Sequence, residues 1–166
     1  LVGSEMCIRD RNEVKPRVEE MDENEKMDPA IIKGLFEQGL MAIETAPELG
    51  GAGGSFTSAI VVIEELAKVD PAVSVLCDVH NTLVNTVLRK YANDEQRQRF
   101  MPALSEHMLG SFCLSEPSSG SDAFAMRTSV KKTDDGNYVI NGSKMWITNG
   151  AEAEFFIVFA QGDPSK

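Results

Sequence analysis

The sequence is poor in the residues that form disulfides or hold metal ions. It contains 3 cysteines, Cys7, Cys77 and Cys113, and 2 histidines, His80 and His107. The odd number and wide spacing of the cysteines indicate free thiols in a reducing compartment. Cys77 and His80 lie three residues apart, but no second pair of ligands accompanies them. We therefore predict no metal site and interpret His80 as a core histidine on a packed helix face.

Positive charge and long apolar runs are also scarce. The chain has 16 Lys and Arg residues against 26 Asp and Glu residues, which gives a net charge of -10. Because nucleic acids and anionic membranes attract cations, we expect the chain to bind neither. No apolar run approaches the roughly 20 residues that span a bilayer. The hydrophobic share of 42% fits a globular chain with one core or two small ones.

The first eleven residues, LVGSEMCIRDR, fit nothing that follows them. They lack the successive regions of a signal peptide, and the acidic residues Glu5 and Asp10 are untypical of a transit peptide. We interpret residues 1–11 as a non-native leader. Mass spectrometry of the natural protein tests this, because the interpretation predicts that the peptide is absent there.

Helical periodicity covers most of the sequence up to residue 108. Five helices are predicted: over 12–21, from Asp28-Pro29, from Ser55 to about Val69, from Asp70-Pro71 to about Lys90, and from Asn93, with Pro102 ending or kinking the last. The glycine-rich stretch 47–54 separates the second helix from the third. No Gly-Lys-Ser/Thr follows it, so we predict a structural turn and not a phosphate loop.

Two of these helices carry specific expectations of burial. The helix from Ser55 has two neighbouring apolar stripes, which predict a wide buried face and a central position. The next helix has one apolar and one polar stripe. We expect the apolar stripe to face inward; it consists of Leu76, Val79, Leu83 and Val87. The separate polar stripe consists of Asp78, Asn81, Asn85 and Arg89.

From residue 109 the pattern changes to short strands. The predicted strands are 109–115, 126–132, 138–140, 144–148 and 154–160, with tight turns at Asp135-Gly136 and Asn141-Gly142. Helices followed by strands predict an α+β fold, with a helical domain over 12–108 and part of an antiparallel β domain over 109–166. Because the sequence stops in mid-sheet, we interpret it as a fragment of a longer protein.

The most informative stretch is CLSEPSSGSDAFA, residues 113–125. An apolar run passes there into a loop rich in small residues, including Ser115, Gly120 and Ser121. Small residues allow a ligand to approach the backbone closely, and free N–H groups in a turn attract anions. A phosphate or the rim of a heteroaromatic ring would fit such a loop. On composition alone, a Ser-rich surface turn is the better interpretation.

A second stretch is Met145-Trp146-Ile147-Thr148-Asn149-Gly150. Trp146 is the single tryptophan of the chain. Its residue type permits two interpretations: an aromatic anchor for the sheet, or a flat wall against a ring system with the Thr148 hydroxyl as a donor at the edge. The residues alone leave both open.

The two stretches together resemble signatures of the acyl-CoA dehydrogenases. Residues 113–125 match that family's pattern at every constrained position, and the resemblance extends over 12–166. Supporting segments include Glu48-Leu49-Gly50-Gly51, residues 63–67 and residues 141–148. Details at 21–24, 34–41 and 110–116 look most like the branch that acts on short/branched-chain acyl-CoA thioesters.

The resemblance implies a function and a cofactor, FAD. In the family, a carboxylate removes the α-proton of the acyl-CoA while the β-carbon loses a hydride, and electrons pass to electron-transfer flavoprotein. The resemblance also implies a mitochondrial matrix location, a homotetramer and a role in isoleucine degradation. The catalytic Glu is expected in a C-terminal helical bundle outside this chain, so no catalytic residue is assigned within it, and the chain is expected to be inactive alone.

The residues expected to line the FAD follow from the same resemblance: Phe112, Cys113, Leu114, Ser115, Gly120, Ser121, Trp146, Ile147 and Thr148. Ser121 is also expected beside the CoA portion of the substrate. Glu116 is a tempting base, but the family places its base elsewhere, and Asp122 is expected to brace the loop. Two alternatives stay open: an acyl-CoA oxidase, and a flavin-free relative that acts as an assembly or interaction protein.

Overall fold

The computed structural model describes residues 10–162, with side chains from residue 12. Most of the predicted leader therefore lies outside the described residues. The helical region begins with a π-helical turn, Asp10–Val14, and a 3-10 turn, Lys15–Arg17. The α-helices that follow are α1 (Val18–Glu23), α2 (Pro29–Glu37) and α3 (Phe56–Ala67). Then come α4 (Pro71–Asp78), a π-helical stretch (Val79–Asn85), α5 (Thr86–Tyr91) and α6 (Asp94–Glu106).

Side chains cap most helices where the sequence predicted. Asp28 and Asp70 accept hydrogen bonds from backbone N–H groups at the starts of α2 and α4, each followed by a proline. Asn93 forms a capping box with Gln96 at the start of α6. Pro102 does not end α6, which continues to Glu106. Of the two predicted effects of Pro102, ending the helix was therefore wrong.

Four strands follow the helices. They are β1 (Gly110–Cys113), β2 (Ser129–Lys132), β3 (Tyr138–Asn141) and β4 (Phe155–Val158). β2 and β3 form the predicted antiparallel hairpin, with Gly136 at a positive φ of 86° in its turn. β1 pairs with β4 in parallel, which corrects the expectation of a purely antiparallel arrangement. Helices followed by strands confirm the α+β class.

Two expected features of the strand region are missing from the described residues. Residues 144–148 are not a strand, and no tight turn forms at Asn141-Gly142. The physical reason lies at Trp146, whose φ of 58° is incompatible with extended backbone. β1, β2 and β4 are shorter than predicted by one to three residues at most ends, and β3 is one residue longer than predicted.

Two hydrophobic clusters form the core. The first joins α1, α2, α3 and α4 around buried residues such as Leu35, Met41 and Leu66. The second packs Val84, Leu88, Met101 and Leu104 against Phe112 of β1 and Phe155 and Ile157 of β4. This second cluster fixes the parallel strand pair on the helical region. Within residues 10–162, no helix is both long and apolar enough to cross a bilayer.

The helix α3 is less buried than its sequence predicts. Ala59, Val62 and Leu66 form one buried stripe. The neighbouring stripe is largely open, since Phe56 and Ile60 are exposed. The expectation of a wide buried face and a central helix was therefore wrong for this chain.

The segment from α4 to α5 buries part of its polar stripe and exposes part of its apolar stripe, which differs from our expectation. Asn81 and Asn85 are 2% exposed, whereas Leu83 is 37% exposed. The wider π-helical turns of Val79–Asn85 change the angle between successive side chains, so a regular 3.6-residue pattern does not apply. The asparagines face the buried loop after α2, and they satisfy its backbone groups.

The glycine-rich stretch is a structural turn, as predicted. Its backbone N–H groups bond to carbonyls of the buried loop after α2, including those of Ala42 and Ile43. Gly51 has no room for a Cβ atom because the Thr45 carbonyl lies against it. The glycines of this stretch therefore serve close backbone packing.

Candidate functional site

The two signature stretches come together in the structure although they are some thirty residues apart in the sequence. The Met145 amide donates to the Ser115 carbonyl at 2.9 Å. Beside it, Lys144 Nζ donates to the Leu114 carbonyl at 2.9 Å and to Glu116 Oε1 at 2.7 Å. The loop after β1 and residues 144–148 therefore form one continuous wall.

The far end of residues 144–149 is also fixed. The Ser111 hydroxyl of β1 donates to the Thr148 carbonyl at 2.8 Å. Asn149 is buried with a positive φ of 65°. Its side-chain amide donates to the Leu76 carbonyl at 3.2 Å and to the Gly110 carbonyl at 3.1 Å. Bonds at both ends hold the short segment between them in one conformation.

Trp146 lies in the middle of this segment and points away from the core. Its side chain is 84% exposed. A left-handed backbone costs a non-glycine residue about 1–2 kcal/mol, and Trp146 adopts it with φ 58°. Within the described residues Trp146 therefore does not anchor the sheet, and the first of the two open interpretations is wrong. A strained and exposed tryptophan, held from both sides, suits the face of a planar ligand.

Glu116 braces the loop and is unsuited to act as a base. Its carboxylate accepts from Lys144, from the Arg127 amide at 2.6 Å and from the Thr128 amide at 3.0 Å. The hydrogen bond from Lys144, with further bonds from Thr128 and Arg127, lowers the pKa of Glu116 to about 2. The side chain of Asp122, which we expected to brace the loop, is exposed, and only its carbonyl takes part, as acceptor for the Ser119 hydroxyl.

The remaining predicted residues fall into two groups. Phe112 and Cys113 of β1 support the wall from behind: Phe112 packs on Phe159 with ring centroids 4.8 Å apart, and Cys113 is buried. Burial raises the pKa of the Cys113 thiol, which favours an inert role. Gly120 and Ser121 are exposed farther along the loop.

The wall leaves room for a ligand. A Cβ atom on Gly120 would meet nothing within 4 Å, and the φ of Gly120 is not positive, so neither packing nor strain demands glycine there. Within residues 12–162, the structure shows no hydrogen-bond partner for the hydroxyls of Ser115, Ser121 and Thr148. Hydroxyls without a protein partner along the two stretches, together with an exposed indole, fit a polar heteroaromatic ring that carries phosphates.

Sequence reasoning missed the residues that hold this wall together. Lys144, Ser111 and Asn149 were not singled out, and Glu116 was considered only as a base. The sequence does carry one signal, since Asn149-Gly150 is a dipeptide typical of turns with positive φ. The partners of Lys144 and Ser111 lie 28 to 37 residues away, and no local pattern reveals them.

Family models match nearly all of the sequence. Residues 10–107 match the acyl-CoA dehydrogenase N-terminal domain, and residues 111–166 match the acyl-CoA dehydrogenase middle domain. The chain belongs to the acyl-CoA dehydrogenase family. The recognition made from residues 113–125 and 141–148 is thereby confirmed.

Individual relatives agree with this assignment. The short/branched chain specific acyl-CoA dehydrogenase, mitochondrial, of Rattus norvegicus is 51% identical over 155 residues, which cover 93% of this chain and 35% of that protein. The butyryl-CoA dehydrogenase of Megasphaera elsdenii superposes with a TM-score of 0.93 at 33% identity, over 99% of this chain and 45% of its own. This acyl-CoA dehydrogenase chain thus spans about a third to a half of the length of these relatives.

A further solved structure bears on the cofactor. An acyl-CoA dehydrogenase from Bacillus anthracis, described as complexed with FAD, superposes with a TM-score of 0.89 at 30% identity, over 96% of this chain and 28% of its own. FAD is the cofactor that the family and its structures indicate. The free hydroxyls and the exposed indole of the wall are compatible with it.

Proposed function

We propose that this chain supplies the FAD-binding wall of an enzyme that dehydrogenates short/branched-chain acyl-CoA thioesters to 2-enoyl-CoA. One observation carries the proposal: the Ser115–Met145 hydrogen bond joins the two signature stretches and leaves Trp146 exposed beside them. Membership in the family supports the reaction type, and the similarity to the rat protein supports the substrate class.

The proposed roles follow the placement of the residues. Leu114 and Ser115 would run along the edge of the flavin ring, with Phe112 and Cys113 supporting them from behind, and Trp146, Ile147 and Thr148 would cover one face. The Thr148 hydroxyl would donate to the ring, where electron density increases on reduction. Gly120 and Ser121 would lie by the diphosphate, with Ser121 near the CoA portion of the substrate. When bound, FAD would accept the hydride that leaves the β-carbon of the substrate.

The proposal extends to the rest of the protein. We infer the domain division 12–108 and 109–166, a catalytic Glu in a C-terminal helical bundle, a homotetramer, and electron-transfer flavoprotein as electron acceptor. We also infer a mitochondrial matrix location, in line with the name of the rat relative, and a role in isoleucine degradation. None of these inferences depends on residues 1–11.

The test is made on the natural protein that carries this sequence. The purified protein is expected to show flavin absorbance, and 2-methylbutanoyl-CoA is expected to bleach it without oxygen. Colourless protein that cannot be reconstituted with FAD would contradict the proposal and favour an assembly or interaction protein. Rapid reoxidation by oxygen, with peroxide formed, would instead identify an oxidase.

A further inference from the structure

The Glu116–Lys144 pair is the most buried ion pair among the described residues. Its side chains are 3% and 9% exposed, and their charged atoms lie 2.7 Å apart. The next most buried pair, Arg89–Glu44, has side chains 24% and 16% exposed, and the others lie farther out. A charge is costly to bury unless it is paired and its other hydrogen bonds are made. This pair therefore needs a specific surrounding.

That surrounding consists of three separate segments of the chain. Lys144 also binds the Leu114 carbonyl, and Glu116 also accepts from the amides of Arg127 and Thr128. The ion pair therefore connects the loop after β1, the residues before β2 and the residues before Trp146. Each of the three lacks regular secondary structure at that point.

Two of the residues proposed to contact FAD lie within two residues of these anchoring residues in the sequence. Ser115 lies between the two anchored residues Leu114 and Glu116, and Trp146 lies two residues beyond Lys144. In the described residues, neither Ser115 nor Trp146 makes a side-chain hydrogen bond of its own. Their positions depend on the backbone, and the backbone depends on the bonds of Lys144, Glu116 and Met145.

We propose that Glu116 and Lys144 are positioning residues for FAD, holding Ser115 and the Trp146–Thr148 segment at the fixed separation that the flavin ring requires. This inference rests on the proposed function, because it concerns the same wall. Neither residue needs to touch the cofactor. Removing the Lys144 ammonium leaves the Glu116 carboxylate buried without its cation and the Leu114 carbonyl without its donor, so the two stretches can separate.

The test compares variants of the natural protein. Lys144→Met removes the charge and keeps the length of the side chain, and Lys144→Arg retains the charge. Lys33→Met is the matched control, since the Lys33–Glu37 pair lies exposed on α2. FAD affinity is measured by titration of the apoprotein, together with the absorption spectrum and midpoint potential of the bound flavin. Far-UV circular dichroism reports on folding.

The expected result is a loss of FAD affinity of about tenfold or more for Lys144→Met, with an altered flavin spectrum and potential. Lys144→Arg is expected to retain most of the affinity, and Lys33→Met all of it. The double exchange Glu116→Lys with Lys144→Glu is expected not to restore binding, because the Arg127 and Thr128 amides need an acceptor. Glu116→Gln gives an independent version of the same test if Lys144→Met does not fold.

Three results would overturn the inference. The first is an affinity, spectrum and potential of Lys144→Met equal to those of Lys33→Met. The second is failure of both Lys144→Met and Glu116→Gln to fold, since the pair would then serve the whole domain and not the cofactor. The third is an affinity, spectrum and potential of a folded Glu116→Gln variant equal to those of the unaltered protein. Absence of flavin from the unaltered protein would instead contradict the proposed function itself.

Discussion

His80 is a single side chain that links the helical region to the first strand. It is fully buried; its Nε2 donates to the Leu104 carbonyl at 2.8 Å and its Nδ1 accepts from the Gly110 amide at 3.0 Å. Its ring also meets Phe36 edge to face. Both nitrogens are occupied by backbone groups, which confirms the interpretation as a core histidine. Only the neutral ring can make both bonds.

The acid stability of the protein is expected to depend on His80. Burial lowers the pKa of His80 from 6.5 to about 4, partly opposed by the bond to Leu104. Because the unfolded chain is protonated first as the pH falls, this stability is complete above pH 6.5 and is lost towards pH 4. We expect His80 to account for about 2–3 kcal/mol of the decrease in unfolding free energy between pH 7 and 4.5.

Denaturant unfolding of His80→Gln at both pH values provides the check. The variant is expected to be less stable at pH 7 and to lose less stability on acidification than the unaltered chain. His107→Gln, at an exposed position on the C-terminal side of α6, is the control. It is expected to change neither the stability at pH 7 nor the loss of stability on acidification. An unchanged pH dependence in His80→Gln would contradict this account of His80.

Trp146 is expected to contribute little to stability although it is large and aromatic. Its ring is exposed, so truncation removes little packing, and glycine relieves the left-handed backbone. We expect Trp146→Ala to change the unfolding free energy of the FAD-free protein by less than about 0.5 kcal/mol, and Trp146→Gly to be neutral or stabilising by up to about 1 kcal/mol. Denaturant titrations without FAD measure both. A loss above 2 kcal/mol in Trp146→Ala would restore the anchor interpretation.

At the scale of elements, burial in the helical segment 71–91 departs from the sequence pattern, since Asn81 and Asn85 are buried and Leu83 is exposed. Asn81 Oδ1 accepts from the Ile43 amide, and its Nδ2 donates to the carbonyls of Leu40 and Cys77. We expect Asn81→Ala to destabilise the protein by about 2–4 kcal/mol, because buried backbone groups lose their partners. Leu83→Ala, at the exposed position two residues on, is expected to cost below about 1 kcal/mol.

Thermal or denaturant unfolding of these two variants distinguishes the structure from the sequence pattern. A regular amphipathic helix predicts the opposite order, with Leu83→Ala the more damaging. The larger loss in Leu83→Ala would show that the π-helical stretch does not form in solution. Retained stability in Asn81→Ala would show that water satisfies the loop after α2.

The elements could be predicted from the sequence where local chemistry determines them. The caps at Asp28, Asp70 and Asn93 and the turn at Gly136 each depend on neighbouring residues. The burial of Asn81 and the parallel pairing of β1 with β4 depend on partners far along the chain. Contacts between residues far apart in the sequence do not alter its hydrophobic periodicity, so the periodicity could not predict them.

The residues of the candidate site also fall into those that the local sequence identifies and those that it does not. Residues 113–125 and 145–148 were identified because their composition and family signature are continuous in sequence. Lys144, Ser111 and Asn149 act through bonds to distant carbonyls, so the sequence alone did not reveal them. The left-handed backbone of Trp146 was also hidden, because tryptophan is a residue type typical of strands.

At the scale of the whole molecule, this chain is expected to supply the FAD-binding wall but not the general base of the reaction. A general base acts best when its pKa lies near the working pH. Glu116, beside the wall, has its pKa held at about 2 by Lys144 and the amides of Thr128 and Arg127. We therefore expect the 166-residue chain alone, supplied with FAD and acyl-CoA, to show no substrate-dependent dye reduction. Turnover at the rate of a complete family member would contradict this.

The most direct test of the central claim is a crystal structure of the natural protein with FAD bound. The account predicts the indole of Trp146 in contact with one face of the flavin, within about 4 Å, and the Thr148 hydroxyl within hydrogen-bonding distance of the ring, about 3 Å. It also predicts that the Glu116–Lys144 and Ser115–Met145 bonds persist unchanged. FAD bound elsewhere, with Trp146 still in solvent, would contradict the account.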